Sequence, residues 1–260
     1  MRLKIYPLLI ICVALLGCKH EDDSTKAIEL NNLGLQLTNQ GKDREAIYVY
    51  QQAASYRNIP TTDRTTFLSN LALAYHKINM NDSAKYFYKK AANMNKRGSY
   101  NYLVNVAYVY LIDKRLDTTC KLLEKAYKAD STMVSVNNLL GVIWLGEYDK
   151  NYYDPVKALR YNANAYKMLQ DGDTKFMLAK NYYQVENTAE SLRLFRELHY
   201  EYPDYIAYLV TLIMIEQEMN NLSEAEKLLE ELKTKDPEKY KQRRDDPIEP
   251  GTHVIVWNPD

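Results

Sequence analysis

Large and small apolar residues recur along the chain in one fixed order. Leu33-Gly34 is followed by Leu37, then by Ala46, Tyr50 and Ala53. The order returns as Leu71-Ala72, Tyr75, Ala84, Tyr88 and Ala91, and again as Val106-Ala107, Tyr110, Thr119, Leu123 and Ala126. A fourth copy reads Leu140-Gly141 and Trp144, then Ala158 and Ala165 beyond an insertion. The fifth is Leu178-Ala179, Tyr182, Ser191, Phe195, Leu198 and Pro203, and the sixth is Leu212, Ala225, Leu229, Leu232 and Pro237. Spacings of three and four residues within a copy put these side chains on one face of a helix. Copies begin near residues 27, 65, 100, 134, 172 and 206. Only 8 Gly and 8 Pro punctuate the 260 residues, so long stretches run without breakers, as helices need and strand-rich folds do not.

Numbered from each start, the copies follow, with departures, an order of large-small at positions 7 and 8, large at 11, small at 20, large at 24 and small at 27. This order resembles the tetratricopeptide repeat (TPR), whose period is 34 residues. The resemblance implies an all-α fold: a right-handed α-solenoid of about six TPR-like helical hairpins over residues 27–237, closed by a short capping helix and a tail over 238–260. Small residues at 8 and 20 let the two helices of a hairpin approach closely, and the large ones fill the space around them. Position 8 is Gly or Ala except at Ile213, which implies looser packing in the last repeat. Asn162 stands at a position that is usually large, and a long connector, Glu147 to Pro155, interrupts the fourth repeat. Asp154-Pro155 reads as an N-cap followed by proline at the first helical position. Tyr148, Tyr152 and Tyr153 make the connector a candidate contact loop, or an ordinary exposed insertion. Beyond a capping helix to Arg244, Asp246-Pro247 to Gly251 breaks helix, and the β-prone run His253 to Trp257 either packs back on the last repeat or adds to a partner's sheet edge.

The N-terminus carries a different pattern. Arg2 and Lys4 precede a twelve-residue stretch, Ile5 to Leu16, that is apolar apart from Tyr6 and Pro7. It is too short to cross a bilayer and has the form of a signal peptide, residues 1–17. Its end, Leu15-Leu16-Gly17-Cys18, resembles the bacterial lipobox. That resemblance implies cleavage after Gly17 and acylation of the Cys18 thiol, with several chains at one residue giving stable anchoring. Residues 18–26 then form an acidic tether. Lys19-His20-Glu21-Asp22-Asp23 resembles the surface-export signal of lipoproteins in Bacteroidota, and it reads equally as a solvated linker. The expected address is the bacterial cell envelope, anchored by lipid at the outer membrane and displayed at the surface if the export signal holds. Of three cysteines, Cys12 leaves with the leader and Cys18 is lipidated, so Cys120 has no partner for an intrachain disulfide.

Charge and chemistry narrow the function. Without Arg2 and Lys4 the chain holds 32 basic against 34 acidic residues, so no basic field attracts nucleic acid. Tyrosines number 24 against 4 phenylalanines; tyrosine suits half-wet helix faces and interfaces. The histidines are His20, His76, His199 and His253, none at i, i+4 with another, and no cysteine pair exists to hold zinc. Gly-rich phosphate loops and Gly-x-Ser-x-Gly elbows are absent, and Asp22-Asp23 and Glu230-Glu231 read as solvated acids. The reading is a non-enzyme with no cofactor, no metal and no catalytic residue.

In TPR arrays the first helix of each hairpin lines a groove. Carried onto this chain, the resemblance assigns Asn31, Leu35, Ser69, Leu73, His76, Val104, Tyr108, Leu111, Asn138, Val142, Phe176, Lys180 and Tyr183 to that lining. The mix is apolar and aromatic with a few amides, suited to an extended peptide or a partner helix. The carboxylate-clamp subtype is not matched. Asn70 fits one of its places, but Asn31, Leu35, Val104 and Tyr108 stand where the clamp has its other polar groups. The expected function is a lipid-anchored envelope adaptor for a protein or peptide. The alternative is a surface glycan- or nutrient-binding lipoprotein associated with a transporter.

Overall fold

The computed structural model describes residues 23–245; the leader, Cys18 and the run His253 to Trp257 lie outside the described residues. Among the described residues there are thirteen α-helices, one short 3-10 turn and no strand. In chain order, twelve helices fall into six pairs. These are α1 (Asp23–Asn39) and α2 (Asp43–Ser55), α3 (Thr61–Lys77) and α4 (Asn81–Asn93), and α5 (Tyr100–Ile112) and α6 (Leu116–Ala129). They continue with α7 (Val134–Trp144) and α8 (Pro155–Met168), α9 (Gly172–Gln184) and α10 (Thr188–Glu201), and α11 (Ile206–Glu218) and α12 (Leu222–Lys235). The last helix is α13 (Pro237–Asp245). Short connections make neighbours antiparallel.

The chain divides into two compact units, one ending at Thr119 and one starting at Cys120. In the first, each helix from α1 to α5 packs on the next. In the second, the same serial packing runs from α7 to α13, and the α6 residue Tyr127 meets Tyr161 of α8 edge-on at 5.2 Å. The helix α1 begins at Asp23, so the end of the expected 18–26 tether is helical and Ala27 is fully buried. An aspartate suits the first turn of a helix, where the dipole is positive. After the arrays, α13 packs on α12, and its Tyr240 lies against the second unit's core.

The turn inside each pair has a common form. Gly41, Asn79, Lys114, Gly146, Glu186 and Asn220 all take positive φ, between 56° and 78°. All but Gly146 stand at position 15 of their repeat. Beside each, a backbone N–H reaches five residues back, as in Lys42 N to Leu37 O at 2.9 Å, Arg115 N to Tyr110 O at 2.9 Å and Asn187 N to Tyr182 O at 2.9 Å. Such bonds satisfy the last carbonyls of the first helix. Glycine and asparagine tolerate this conformation, whereas Lys114 and Glu186 hold it against a side-chain penalty. Lys114→Gly and Glu186→Gly are therefore each expected to stabilise the protein by about 1 kcal/mol in chemical denaturation.

The small positions carry the core. At position 20, Ala46, Ala84, Thr119, Ala158 and Ser191 are completely buried, and at position 27 so are Ala53, Ala91, Ala126 and Ala165. The Tyr50 ring lies against Gly34, and the Asn162 amide against Gly141, so closely that a Cβ on either glycine would overlap them. Asn162 is buried without being large because it is bonded. Its Nδ2 donates to Asn181 Oδ1 at 2.7 Å, and Asn181 Nδ2 donates to Pro155 O at 2.7 Å, tying α7–α8 to α9. Ile213 is itself fully buried in the second unit's core with Leu228, while Leu229 is half-buried. In line with the looser packing expected there, α11 and α12 meet less extensively than the helices of the first, second, fourth and fifth pairs do. Asp154 accepts from Lys157 N at 2.9 Å with Pro155 at the start of α8, the cap expected after the connector.

Candidate interaction surface

First helices of successive pairs lie side by side within each unit: α1 touches α3 and α3 touches α5 in the first, and α7 touches α9 in the second. In the first unit amides and a hydroxyl set their register. Asn70 Nδ2 donates to Asn31 Oδ1 at 2.9 Å, and Ser69 Oγ donates to Asn105 Oδ1 at 2.8 Å. Asn105 is buried and also donates to Asn101 O at 2.8 Å. Asn31 is buried beside the same ladder, and Leu111 is buried as well. Around them Leu35 is 43% exposed, while Ser69, Leu73, His76, Val104 and Tyr108 are half-buried. His76 Nδ1 lies 2.9 Å from Asn81 Oδ1. The Tyr108 ring is stacked on buried Tyr88 at 4.8 Å with an interplanar angle of 3°, which holds it in one orientation. This face can offer ring, aliphatic and hydroxyl contacts at fixed positions.

The second unit uses its predicted positions differently. Asn138, Val142 and Phe176 are half-buried. Phe176 is turned into the core, edge-on to Phe195 at 5.9 Å and beside Tyr208 at 5.5 Å. Lys180 and Tyr183 are buried: Lys180 pairs with Glu147 from the connector, and the Tyr183 hydroxyl donates to Glu218. The connector thus folds over α9 instead of leaving it open, and Tyr153 Oη donates to Gln184 Oε1 at 2.6 Å beside it. Lys157 Nζ sits 3.4 Å from the centre of the Trp144 ring.

Residue spacing gave no sign of the charges buried in this unit. Lys175 is buried, with Nζ 2.5 Å from Glu201 Oε1 and 3.5 Å from Glu197 Oε2. Burial, the largest single influence, pulls its pKa down, but the bond to Glu201 and the charges of Glu201, Tyr166 and Glu197 together outweigh it and leave the ammonium above its ordinary value. Glu216 is fully buried and accepts from Arg196 Nη2 at 2.6 Å and Asn221 Nδ2 at 2.8 Å. A chain of rings also leads outward. Tyr208 is buried, with its hydroxyl pushed up to about 12, mainly by burial and then by Asp173. Tyr205 lies 4.4 Å from it and Tyr202 6.1 Å, and these two are 56% and 44% exposed. Among the described residues no group of three or more His, Cys, Asp and Glu side chains is placed to hold a metal ion, and no helix is long and apolar enough to cross a membrane.

Six helix pairs with buried small residues at position 20, at position 8 in five of them and at position 27 in four, turned through one left-handed residue each, define the fold as all-α and TPR-like. Solved structures agree with this. The chain aligns with TTC0263, a thermophilic TPR protein of Thermus thermophilus, at a TM-score of 0.55 and 14% identity, covering 73% of this chain and 98% of that one. It aligns with Pseudomonas aeruginosa pilF at 0.57 and 16% identity, covering 85% and 97%. With a chain of the Cut9–Hcn1 hetero-tetramer of the APC/C the TM-score is 0.64 at 13% identity, and the match spans 87% of this chain but only 43% of that one. The sequence matches no family model and no curated protein.

Proposed function

We propose that this chain is a lipid-anchored envelope adaptor that binds a protein or peptide across the first-helix face of its first unit. The observation that carries the reading is the set Leu35, Leu73, Val104 and Tyr108, apolar side chains left accessible on helices whose register is fixed by the Asn31–Asn70 and Ser69–Asn105 bonds. A preorganised apolar face of this kind binds an extended or helical segment with little ordering cost. The lipobox-like Leu15-Leu16-Gly17-Cys18 supports the anchor. In the second unit Lys180 and Tyr183 serve internal bonds instead.

Affinity capture from envelopes tests the face. A Leu35→Ser/Tyr108→Ala variant is expected to lose a protein that the native chain retains, with an unchanged circular dichroism spectrum. Retention of that protein by the variant contradicts the reading. Metabolic labelling with palmitate tests the anchor: Cys18→Ser is expected to abolish labelling and release the chain from the membrane fraction, and persistent labelling argues against it.

A second reading, glycan binding, draws on the exposed rings of Tyr202 and Tyr205, with Tyr200 86% exposed nearby in sequence. Ring faces of that kind stack on sugars. Titration with oligosaccharides supports this reading only if heat appears with the native chain and disappears in Tyr202→Ala/Tyr205→Ala.

A further inference from the structure

We propose that a crevice between α2, α3 and α4, lined by residues other than those assigned to the first-helix face, takes an acidic peptide segment that inserts one apolar side chain. The crevice has a volume of about 230 Å³. Ligand sites for whole small molecules usually span about 300–1,000 Å³, so this one fits a single side chain of an extended chain better than a cofactor. Its floor is apolar: Ala54 of α2, Leu68 and Leu71 of α3, and Phe87 of α4. The floor is held in place, because Phe87 is stacked on Tyr75 at 5.5 Å and 3°, and Tyr75 Oη accepts from Gln51 Nε2 at 2.8 Å.

Two cations stand in the same lining, Arg64 and Lys90. Arg64 Nη2 donates to the carbonyls of Tyr56 at 2.7 Å and Arg57 at 2.8 Å. Those acceptors are neutral, and among the described residues no carboxylate pairs with the guanidinium. Lys90 is exposed and has no carboxylate partner among the described residues. Two unmatched cations beside a fixed apolar floor complement a carboxylate next to an apolar side chain, and steer an acidic segment toward the crevice. The inference does not rest on the first-helix reading, since none of these residues belongs to that face.

The test is fluorescence anisotropy of the full chain with a labelled octapeptide carrying one leucine flanked by aspartates. Two control peptides replace the aspartates by asparagine or the leucine by serine. The acidic leucine peptide is expected to bind in a salt-sensitive way, and each control at least about tenfold more weakly. Lys90→Glu changes an exposed side chain and is expected to keep the melting temperature while weakening binding about tenfold or more. Ala54→Phe, which fills the crevice, is expected to abolish it. Equal binding of the asparagine peptide, unchanged affinity in Lys90→Glu, or no binding of the acidic peptide would each overturn the proposal.

Discussion

Replacing Glu147 with alanine is expected to cost the protein about 3–5 kcal/mol, read from urea or guanidinium denaturation. Glu147 stands in the connector, and its carboxylate meets the Lys180 ammonium, a side chain only 3% exposed on α9. Charges taken out of water cost several kcal/mol each, and attraction to a close partner offsets that only while the partner is present. The alanine variant leaves Lys180 buried without this carboxylate. A Glu147→Leu/Lys180→Met double variant removes both charges at similar volume and is expected to lie within about 1–2 kcal/mol of the native chain. If the single variant is as stable as the double one, the pair does not hold the connector down. The expected loss would also open the connector, freeing Tyr153 from Gln184 and uncovering the α9 positions assigned to the groove.

The second large effect is at the hairpin core. Phe195 at position 24 is completely buried and meets Phe176 edge-on. Phe195→Ala is expected to lower stability by about 3–5 kcal/mol, the lost transfer energy plus the cavity left behind. Tyr86→Ala, on a residue 60% exposed in α4, is the control and is expected to shift stability by no more than about 0.5 kcal/mol. Similar losses in the two variants would mean that the repeat's large position does not organise the packing.

The repeat was legible because its code is steric. Small residues at positions 8, 20 and 27 have a single physical role, to let backbones meet, and Gly34 under Tyr50 shows that role directly. The cap at Asp154-Pro155 was legible for the same reason, as local chemistry with one preferred geometry. Three features were not. Lys114 and Glu186 take the left-handed turn because the hairpin geometry demands it there, and neither residue type announces such a conformation. Asn162 looked like a defect at a large position, and only its bond to Asn181, nineteen residues away, explains it. The groove assignment assumed that position alone sets exposure. Lys180 and Tyr183 occupy lining positions, yet Glu147 and Glu218 draw them inward, pairings between distant residues that no period contains. Asn31 likewise spends its carbonyl on Asn70. Side chains without a polar partner, such as Leu35 and Val104, kept the accessibility that the pattern assigned them.

Whether partners are held by the first-helix face of the first unit can be read by site-specific photo-crosslinking in intact envelopes, with a photoreactive residue introduced singly at Leu73, Val104, Tyr200 or Glu226. One discrete crosslinked product is expected from positions 73 and 104, on first helices, and none from 200 and 226, which lie exposed on the second helices α10 and α12. A product from 200 or 226 with none from 73 and 104 would contradict it.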